Sequence, residues 1–273
     1  MTEPTGDPPA PRRPASGPAH VGDEPEVVVR ATAQDVSVEA AGRIAAALAA
    51  AIDERRRADL VTTGGSTPLG IYGALSALFR DALDWTRVHV WWGDDRYVPH
   101  DHPLSNVGPA PAIPTENLHP FPCNEAIARA LGPAWCARRY VEELRASGLR
   151  EARGFPAFDV ILLGVGADGH ILSVFPGSKA LDSTNWAMAI PAPTHVEPRV
   201  ERVTLNPAVL AVAGTILVVA TGARKAAIVS DVFRTPRDVR KLPAQLVRRR
   251  GATWVLDREA AAGIPAQLLT IAG

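Results

Sequence analysis

The sequence predicts an α/β fold in which a mostly parallel β-sheet carries helices on both faces. Short apolar runs that suit buried strands alternate along the chain with longer segments of helical apolar spacing. This alternation favours parallel pairing, because a crossover helix returns the chain to the same end of the sheet. The chain has 273 residues, 47% of them hydrophobic, which is enough to bury the core of one large domain.

The first half of the predicted domain contains three strands and two helices. Strands are predicted at 26–30, 59–63 and 87–92, where apolar and β-branched residues cluster in short runs. The apolar spacing of residues 36–58 predicts a helix, and a second helix is predicted over 68–80 after a cluster of Gly, Ser and Thr.

The second half adds a long loop, two helices and four strands. Residues 99–122 are rich in Pro and polar residues, and a loop of that length inside a compact domain is usually functional. One helix is predicted over 124–148, with a break at Gly132–Pro133, and another over 223–234. Strands are predicted at 158–164, 202–206, 215–221 and 252–257.

Composition sets the limits of the domain and excludes several classes of protein. Residues 1–24 are dominated by Pro, Gly and polar residues, which predicts a disordered tail and leaves residues 25–273 as a single α/β domain. The formal net charge of zero gives no sign of nucleic acid or an anionic membrane as a partner. No apolar run reaches the roughly 20 residues of a membrane span, and the N-terminus has no apolar signal core, so we expect a cytoplasmic protein.

The chain has two cysteines, Cys123 and Cys136. Their spacing is not C-x-x-C, so the sequence indicates neither a zinc site nor redox chemistry. We expect two free thiols in a reducing compartment, with a disulfide as the alternative.

The segment LLGVGADGHILSVFPG, residues 162–177, has the G-x-G-x-x-G spacing of a dinucleotide-binding turn. That motif also requires a long helix after the turn and an acidic residue about 20 positions later. Pro176 and Gly177 leave room for only a very short helix. A dinucleotide site is therefore the less favoured interpretation.

The favoured interpretation is a sharp turn that presents a histidine. Glycines, among them Gly166, let the backbone turn at the strand end, and Asp168 and His170 are then placed to face one cleft. An imidazole titrates near neutral pH and so suits a general base. A histidine that only caps the turn is the structural alternative. Ser173 is expected to pack or to cap.

The loop TTGGSTP, residues 62–68, has the features of a phosphate-binding turn between a strand and a helix. Gly65 lets the backbone approach a ligand closely, while Ser66 and Thr67 offer hydroxyls beside the free N–H groups of a helix start. Thr67 also suits the N-cap and Pro68 the first helical position. An ordinary capped turn is the alternative.

Two further strand ends carry charged residues. In WWGDDRYVP, Arg96 suits bidentate pairing with a phosphate or carboxylate, and Asp94 and Asp95 are predicted to orient it. Lys225 and Arg224 lie at a helix start, where cations oppose the helix dipole and so indicate an anion nearby. Structural ion pairs and solvated surface charges are the alternatives. Because the carboxyl ends of parallel strands meet at one edge, these loops together predict a site for a phosphorylated small molecule.

The same loops resemble the 6-phosphogluconolactonase family, within the sugar-phosphate isomerase/deaminase-like superfamily. The resemblance implies a Rossmann-like, NagB/RpiA-like architecture. The chain departs from the family pattern at Asp94 and Asp95, because family members usually have Asp followed by Glu before the arginine. The matching segments follow the family's order over nearly all of the chain after the tail: GGSTP (64–68), WWGDDRYVP (91–99), SN (105–106), FDVILLGVGADGHILSVFPG (158–177), RVTLN (202–206), TGARK (221–225), LPAQL (242–246) and TWVLD (253–257).

The resemblance implies hydrolysis of 6-phospho-D-glucono-1,5-lactone to 6-phospho-D-gluconate, the second step of the oxidative pentose phosphate pathway. It implies an enzyme without a metal or organic cofactor, a monomer or weak homo-oligomer whose partner is the lactone. His170 is implied as the catalytic base and Asp168 as the residue that orients it. N–H groups of the 164–169 turn are expected to stabilise the oxyanion. Phosphate is expected on Gly65, Ser66, Thr67, Arg96 and Lys225, with support from Asp94, Asp95 and Gly166.

Two other functions stay open at this point. A glucosamine-6-phosphate deaminase or isomerase shares the GGSTP-like loop and would use Asp94 or Asp95 as a base over C2. Such enzymes normally lack an arginine after the acidic pair, so Arg96 favours the lactonase. A sugar-phosphate sensor would keep the phosphate loop and lose the base. The presence of His170 and Asp168, without an apparent helix–turn–helix segment, argues against a sensor.

Overall fold

A computed structural model of the protein describes residues 24–107 and 113–271. The helices in these ranges are α1 (Ala33–Arg55), α2 (Ser66–Leu78), α3 (Cys123–Ala128), α4 (Gly132–Ala146) and α5 (Ala226–Arg234). The strands are β1 (Glu26–Arg30), β2 (Ala58–Thr62), β3 (Val88–Trp92), β4 (Asp94–Arg96), β5 (Leu118–His119), β6 (Arg150–Ala152), β7 (Phe155–Ala157), β8 (Val160–Gly164), β9 (Ala187–Ile190), β10 (Arg202–Leu205), β11 (Thr215–Ala220), β12 (Ala252–Asp257) and β13 (Leu269–Ile271).

Eight strands form a central parallel sheet in the order β13-β1-β12-β11-β8-β2-β3-β5. The chain first runs from β1 through β2 and β3 to β5, and then runs back across the sheet from β8 to β13. Parallel strands are almost always joined by right-handed crossovers, which place α1 and α2 on one face and α4 and α5 on the other. The predicted mostly parallel sheet with helices on both faces is therefore confirmed.

Helix α1 begins three residues before its predicted start because a capping box lies there. The hydroxyl of Thr32 accepts a hydrogen bond from the Asp35 N–H, and the Asp35 carboxylate accepts one from the Thr32 N–H. These two bonds satisfy N–H groups that the helix itself cannot pair. The buried face of the helix then repeats every four residues, which packs it onto the sheet: Ala40, Ile44, Leu48 and Ile52.

The helix predicted over 124–148 is two helices, α3 and α4. The division lies just before the predicted break, where Gly132 adopts φ +74° and precedes a proline. Only glycine takes that backbone conformation without strain, and the proline removes an N–H group. The break predicted at Gly132–Pro133 is therefore present, and it separates two helices where the sequence predicted one interrupted helix.

The strand predicted at 202–206 lies outside the central sheet. It forms β10, which pairs antiparallel with β4 and β9 in a separate three-stranded sheet. Strands β4 and β9 are only three and four residues long, too short for a visible apolar period. This small sheet brings Arg96 and Arg202 directly opposite each other.

Two predicted segments extend beyond the described residues. The tail predicted over residues 1–24 lies outside them apart from Glu24, whose carboxylate pairs with Arg248 at 2.6 Å. Residues 108–112 of the loop predicted over 99–122 also lie outside. Within the described ranges no helix is long and apolar enough to cross a bilayer. The two cysteines are buried free thiols, as predicted.

Candidate active site

A cleft of about 440 Å³ lies at the carboxyl ends of the neighbouring strands β2 and β8. After β2 the chain continues on one face of the sheet, and after β8 it continues on the other face. Ligands of open α/β sheets bind at such a reversal of strand order, because the diverging connections open a crevice. His170, Lys225 and two arginines line this cleft.

A larger groove of about 990 Å³ lies beside α1 and β1. Three of its charged side chains pair with one another, since Glu39 contacts Arg30 at 2.8 Å and Arg43 at 2.6 Å. No histidine or cysteine of the described ranges lines it. The cleft at the reversal point is therefore the candidate site.

The turn after β8 presents an oriented histidine to the cleft. The Asp168 carboxylate accepts a hydrogen bond from Nδ1 of His170 at 2.5 Å. With Nδ1 carrying the proton, Nε2 keeps its lone pair and can accept a proton from a water molecule. The His170 side chain is 21% exposed, so it is reachable from solvent and still held by packing.

Two glycines make this turn possible. A Cβ atom on Gly166 would lie 2.1 Å from Nδ1 of His170, inside the volume of the imidazole ring. Gly169 adopts φ +80°, and the N–H groups of both glycines bond within the turn. No α-helix begins in the residues that follow, up to Ser178, so the dinucleotide motif lacks its required helix here. Gly166 is therefore present to make room for the histidine.

A second histidine contacts the same carboxylate. Nε2 of His195 lies 2.7 Å from the other oxygen of Asp168. Burial disfavours ionisation of Asp168, but the hydrogen bonds and charge of His170 and the bond from His195 outweigh burial and hold the pKa of Asp168 well below its ordinary value. Asp168 therefore stays ionised at neutral pH and keeps its acceptor role.

The acidic pair supports the cleft without contacting the guanidinium of Arg96. Asp94 is buried and accepts hydrogen bonds from the Ser173 hydroxyl at 2.5 Å and the Asn106 amide at 3.3 Å. Asp95 is fully buried and accepts from the backbone N–H groups of Arg96 and Asn106. Asp95 therefore positions the backbone around Arg96, and Asp94 holds the side chains of Ser173 and Asn106. Neither carboxylate bonds the Arg96 side chain, which differs from the prediction that they orient it. Ser173 is buried and hydrogen bonded, in line with its expected packing role.

Arg96 and Arg202 lie opposite each other in the cleft wall and form what we call its arginine end. Arg96 of β4 pairs in register with Arg202 of β10, so their side chains lie on the same face of the small sheet. The Nε atoms of both are buried and have no hydrogen-bond partner among the described residues. Burial and the charge of Arg96 lower the pKa of Arg202. A buried and a half-buried guanidinium, each with a buried Nε donor that has no partner in the described chain, suit the binding of an anion.

Lys225 and Asn106 complete the polar wall. Nζ of Lys225 donates to the Val165 carbonyl at 2.6 Å, and burial lowers the pKa of this lysine. Oδ1 of Asn106 is buried without a partner within the described ranges. A Cβ atom on Gly64 would lie 1.9 Å from that oxygen, so Gly64 is required for the asparagine to reach the cleft.

The predicted phosphate loop lies at the margin of the cleft. Helix α2 begins at Ser66 with Gly65 as its N-cap, so the N-cap predicted at Thr67 is wrong by two residues. The Thr67 hydroxyl bonds that of Thr221 at 2.8 Å. Of this loop only Thr63 and Gly64 line the cleft wall. The roles of Gly65, Ser66 and Thr67 stay predictions.

Sequence reasoning assigned no role to Asn106, Arg202 or His195. Asn106 belongs to the Ser-Asn pair at 105–106. Arg202 begins the strand predicted at 202–206, and its local signal is a charged residue next to a buried apolar run. His195 lies in a Pro-rich segment and had no local signal. All three reach the site only through contacts between distant segments.

Comparison with known proteins gives the same family as the resemblance of the loops, over most of the chain. The sequence model of a family described as glucosamine-6-phosphate isomerases/6-phosphogluconolactonase matches residues 31–255. The chain belongs to this family. A 6-phosphogluconolactonase of Synechocystis sp. is 35% identical over 224 residues, which are 77% of this chain and 86% of that protein. One of Mycobacterium tuberculosis is 33% identical over 85% of this chain and 95% of its own length.

A solved structure of a 6-phosphogluconolactonase has the same fold. The 6-phosphogluconolactonase of Trypanosoma brucei superposes with a TM-score of 0.78 at 29% identity. The match covers 89% of this chain and all of that structure. The resemblance drawn from the loops is therefore confirmed.

Proposed function

We propose that the protein is a 6-phosphogluconolactonase that hydrolyses 6-phospho-D-glucono-1,5-lactone to 6-phospho-D-gluconate in the oxidative pentose phosphate pathway. The observation that carries this proposal is the Asp168–His170 pair in a cleft whose other wall holds two unpaired arginines. An ester-like lactone needs an activated water, and its phosphate needs cations. The cleft offers both, and the two bacterial relatives described above are both named 6-phosphogluconolactonase.

His170 acts as the general base. Its Nε2 takes a proton from water as the oxygen attacks C1 of the lactone, and the imidazolium then returns a proton to the departing ring oxygen. Asp168 stabilises the transient imidazolium and keeps the ring in the correct tautomer. His195 holds the second oxygen of Asp168, which positions the carboxylate. No covalent intermediate is required, since Ser173 is engaged with Asp94.

The phosphate binds at the arginine end of the cleft. Arg96 and Arg202 offer their free Nε donors, and Lys225 adds a third positive charge. The predicted contributions of Gly65, Ser66 and Thr67 would come from the rim, through the free N–H groups at the start of α2. Binding at this end places the lactone ring toward His170, and such positioning supplies much of the rate acceleration.

The oxyanion that forms at C1 needs a separate donor. The N–H groups of Gly166 and Gly169 are occupied by carbonyls of the turn. Ala167 lines the cleft, and its N–H group has no acceptor among the described residues. We assign the Ala167 N–H as the oxyanion donor.

The deaminase alternative is disfavoured by the state of the two acidic residues. That reaction needs a carboxylate base free to reach C2 of the substrate. Asp94 is hydrogen bonded to Ser173 and Asn106, and Asp95 is fully buried. The free base in the cleft is an imidazole, which suits water activation.

Lactone hydrolysis tests the proposal directly. 6-Phosphogluconolactone is generated in situ with glucose-6-phosphate dehydrogenase, and its disappearance is followed above the spontaneous rate. Wild type should accelerate hydrolysis, and His170→Ala should lower kcat by about 10²- to 10⁴-fold while product binding is retained. Ammonia release from glucosamine 6-phosphate in place of lactone hydrolysis would establish the deaminase instead.

The oligomeric state, the cofactor requirement and the location of the enzyme are part of the same proposal. We infer that it works without a metal or organic cofactor in the cleft, in the cytoplasm, as a monomer or weak homo-oligomer that does not bind nucleic acid. Size-exclusion chromatography with light scattering, at several protein concentrations, measures the oligomeric state.

A further inference from the structure

A second cluster of ligand-type side chains lies behind β4, outside the set of residues that line the cleft. A carboxylate oxygen of Asp95, a ring nitrogen of His100 and Sγ of Cys123 lie within 4.8 Å of one another. They come from β4, from the segment that follows it and from the first turn of α3. We propose that Asp95, His100 and Cys123 form a binding site for a zinc ion.

The carboxylate is the first reason. Asp95 is fully buried, and no arginine, lysine or histidine of the described ranges forms an ion pair with it. The hydrogen bonds that it accepts come only from neutral donors, the backbone N–H groups of Arg96 and Asn106 and the hydroxyl of Ser105. Buried carboxylates are normally paired with a cation or bound to a metal. A divalent cation beside Asp95 would supply the missing charge.

The histidine is oriented as a metal ligand would be. Nε2 of His100 lies 2.8 Å from the Phe121 carbonyl, which accepts its proton. In the neutral imidazole, this contact leaves Nδ1 without a proton and with a lone pair to offer. Metal-binding histidines almost always donate their other N–H group to a carbonyl or carboxylate in this way. His100 is only half-buried, so it provides an entry path from solvent.

The thiol completes the set and selects the metal. Sγ of Cys123 lies 3.7 Å from Sγ of Cys136, and this contact, together with burial, raises the pKa of Cys123. An ion that binds to this thiol displaces its proton. Thiolate, imidazole and carboxylate are the three ligand types of zinc, and three protein ligands leave a fourth position for water. Cys136 lies next to the metal-bound thiolate as a hydrogen-bond donor.

The site would act on the cleft through the backbone. Asp95 already accepts hydrogen bonds from the N–H groups of Arg96 and Asn106, whose side chains line the cleft. A zinc ion on Asp95 would tie this segment to α3. The ion thus stabilises the arginine end of the cleft and takes no part in water activation, so the inference does not depend on the reaction proposed above.

Cobalt(II) is the probe that tests the site. Reduced, metal-free full-length protein is titrated with Co²⁺, and the thiolate-to-cobalt charge-transfer absorption is recorded, followed by displacement with Zn²⁺. Wild type should show the absorption with one ion bound per chain. Cys123→Ser should lose it, and His100→Gln should weaken Co²⁺ binding at least about tenfold.

Cys136→Ser is the matched control, because Cys136 is equally buried and adjacent but supplies no ligand in the proposal. It should keep the charge-transfer absorption. Absence of the absorption in wild type, its survival in Cys123→Ser or its loss in Cys136→Ser would each overturn the assignment. Far-UV circular dichroism checks folding. If Cys123→Ser does not fold, the half-exposed His100→Gln variant decides the question.

Discussion

The two ends of the cleft are built in opposite ways. At the base end, Asp168 and His170 are two residues apart on one turn, and their facing atoms are hydrogen bonded. At the arginine end, Arg96, Arg202 and Asn106 come from three separate segments, and each has a buried polar atom without a partner in the described chain. The base end is complete without a ligand. At the arginine end, a bound anion pairs with the two Nε donors, and the Asn106 oxygen, an acceptor, needs a donor group of the ligand.

This difference separates positioning from binding. A satisfied hydrogen-bond network holds a base in place before the substrate arrives, which reduces the reorganisation needed during the reaction. Unsatisfied buried donors cost free energy in the empty protein and recover it when a charged ligand pairs with them. Substitutions at the base end should therefore act mainly on kcat, and those at the arginine end mainly on KM.

Among substitutions that leave the catalytic side chains unchanged or test the arginine end, the largest effect is expected from filling the space of the imidazole. Gly166→Ala places a methyl group where Nδ1 of His170 lies, so the ring must move. Displacement of a catalytic group by about 1 Å costs roughly 10²-fold in rate, and kcat should fall by that order. Gly73→Ala on α2 is the control, because its Cβ meets nothing within 4 Å and Gly73 is not among the residues that line the cleft, and it should keep most of kcat. Equal losses in both variants would contradict the steric argument.

The next effect tests the arginine end. Arg202→Met keeps much of the side-chain volume and removes the charge and its donors. Charge-assisted hydrogen bonds contribute about 1.5–3 kcal/mol, so KM should rise roughly ten- to a hundredfold with kcat nearly unchanged. Arg199→Met, an exposed arginine paired with Glu197 on the same segment, is the control. A loss confined to kcat would remove Arg202 from phosphate binding.

A smaller effect is expected on stability. Ser173→Ala removes a buried hydroxyl and leaves the Asp94 carboxylate one donor short. A buried acceptor that loses its partner costs about 1–3 kcal/mol, so the free energy of unfolding should fall by that amount in urea. The variant should keep its activity at temperatures where it is folded. If activity is abolished in folded Ser173→Ala, the serine has a chemical role.

The smallest effect concerns the pH dependence of stability. Asp168 has a lowered pKa, so the stability it contributes is present above the ordinary carboxyl range and is lost as the pH falls through its depressed pKa. His195→Ala removes one of the hydrogen bonds that lower this pKa. The loss should then occur at a higher pH, and acid unfolding should begin earlier in the variant. Identical acid-unfolding curves would show that His195 does not act on Asp168.

Much of the fold was predictable from local pattern. Strands β1 and β12 have the bounds predicted, because each is a short apolar run between polar residues. Strands β4, β9 and β13 were missed, since three or four residues carry no measurable period. They exist because neighbouring strands pair with them, which is a property of the tertiary structure.

The candidate site likewise contains a part that local sequence specifies and a part that depends on tertiary structure. The sequence by itself determined the Asp168–His170 pair, because both residues and the glycines that turn the chain lie within one short segment. Only the tertiary structure decided that Arg202 lies opposite Arg96, that His195 reaches Asp168 and that the Gly65–Thr67 loop lies at the rim. It also brought Cys123 beside His100 and Asp95, where spacing along the chain indicated no metal site. The physical reason is range: a turn is specified by a few adjacent residues, whereas the pairing of distant segments depends on how the whole core packs.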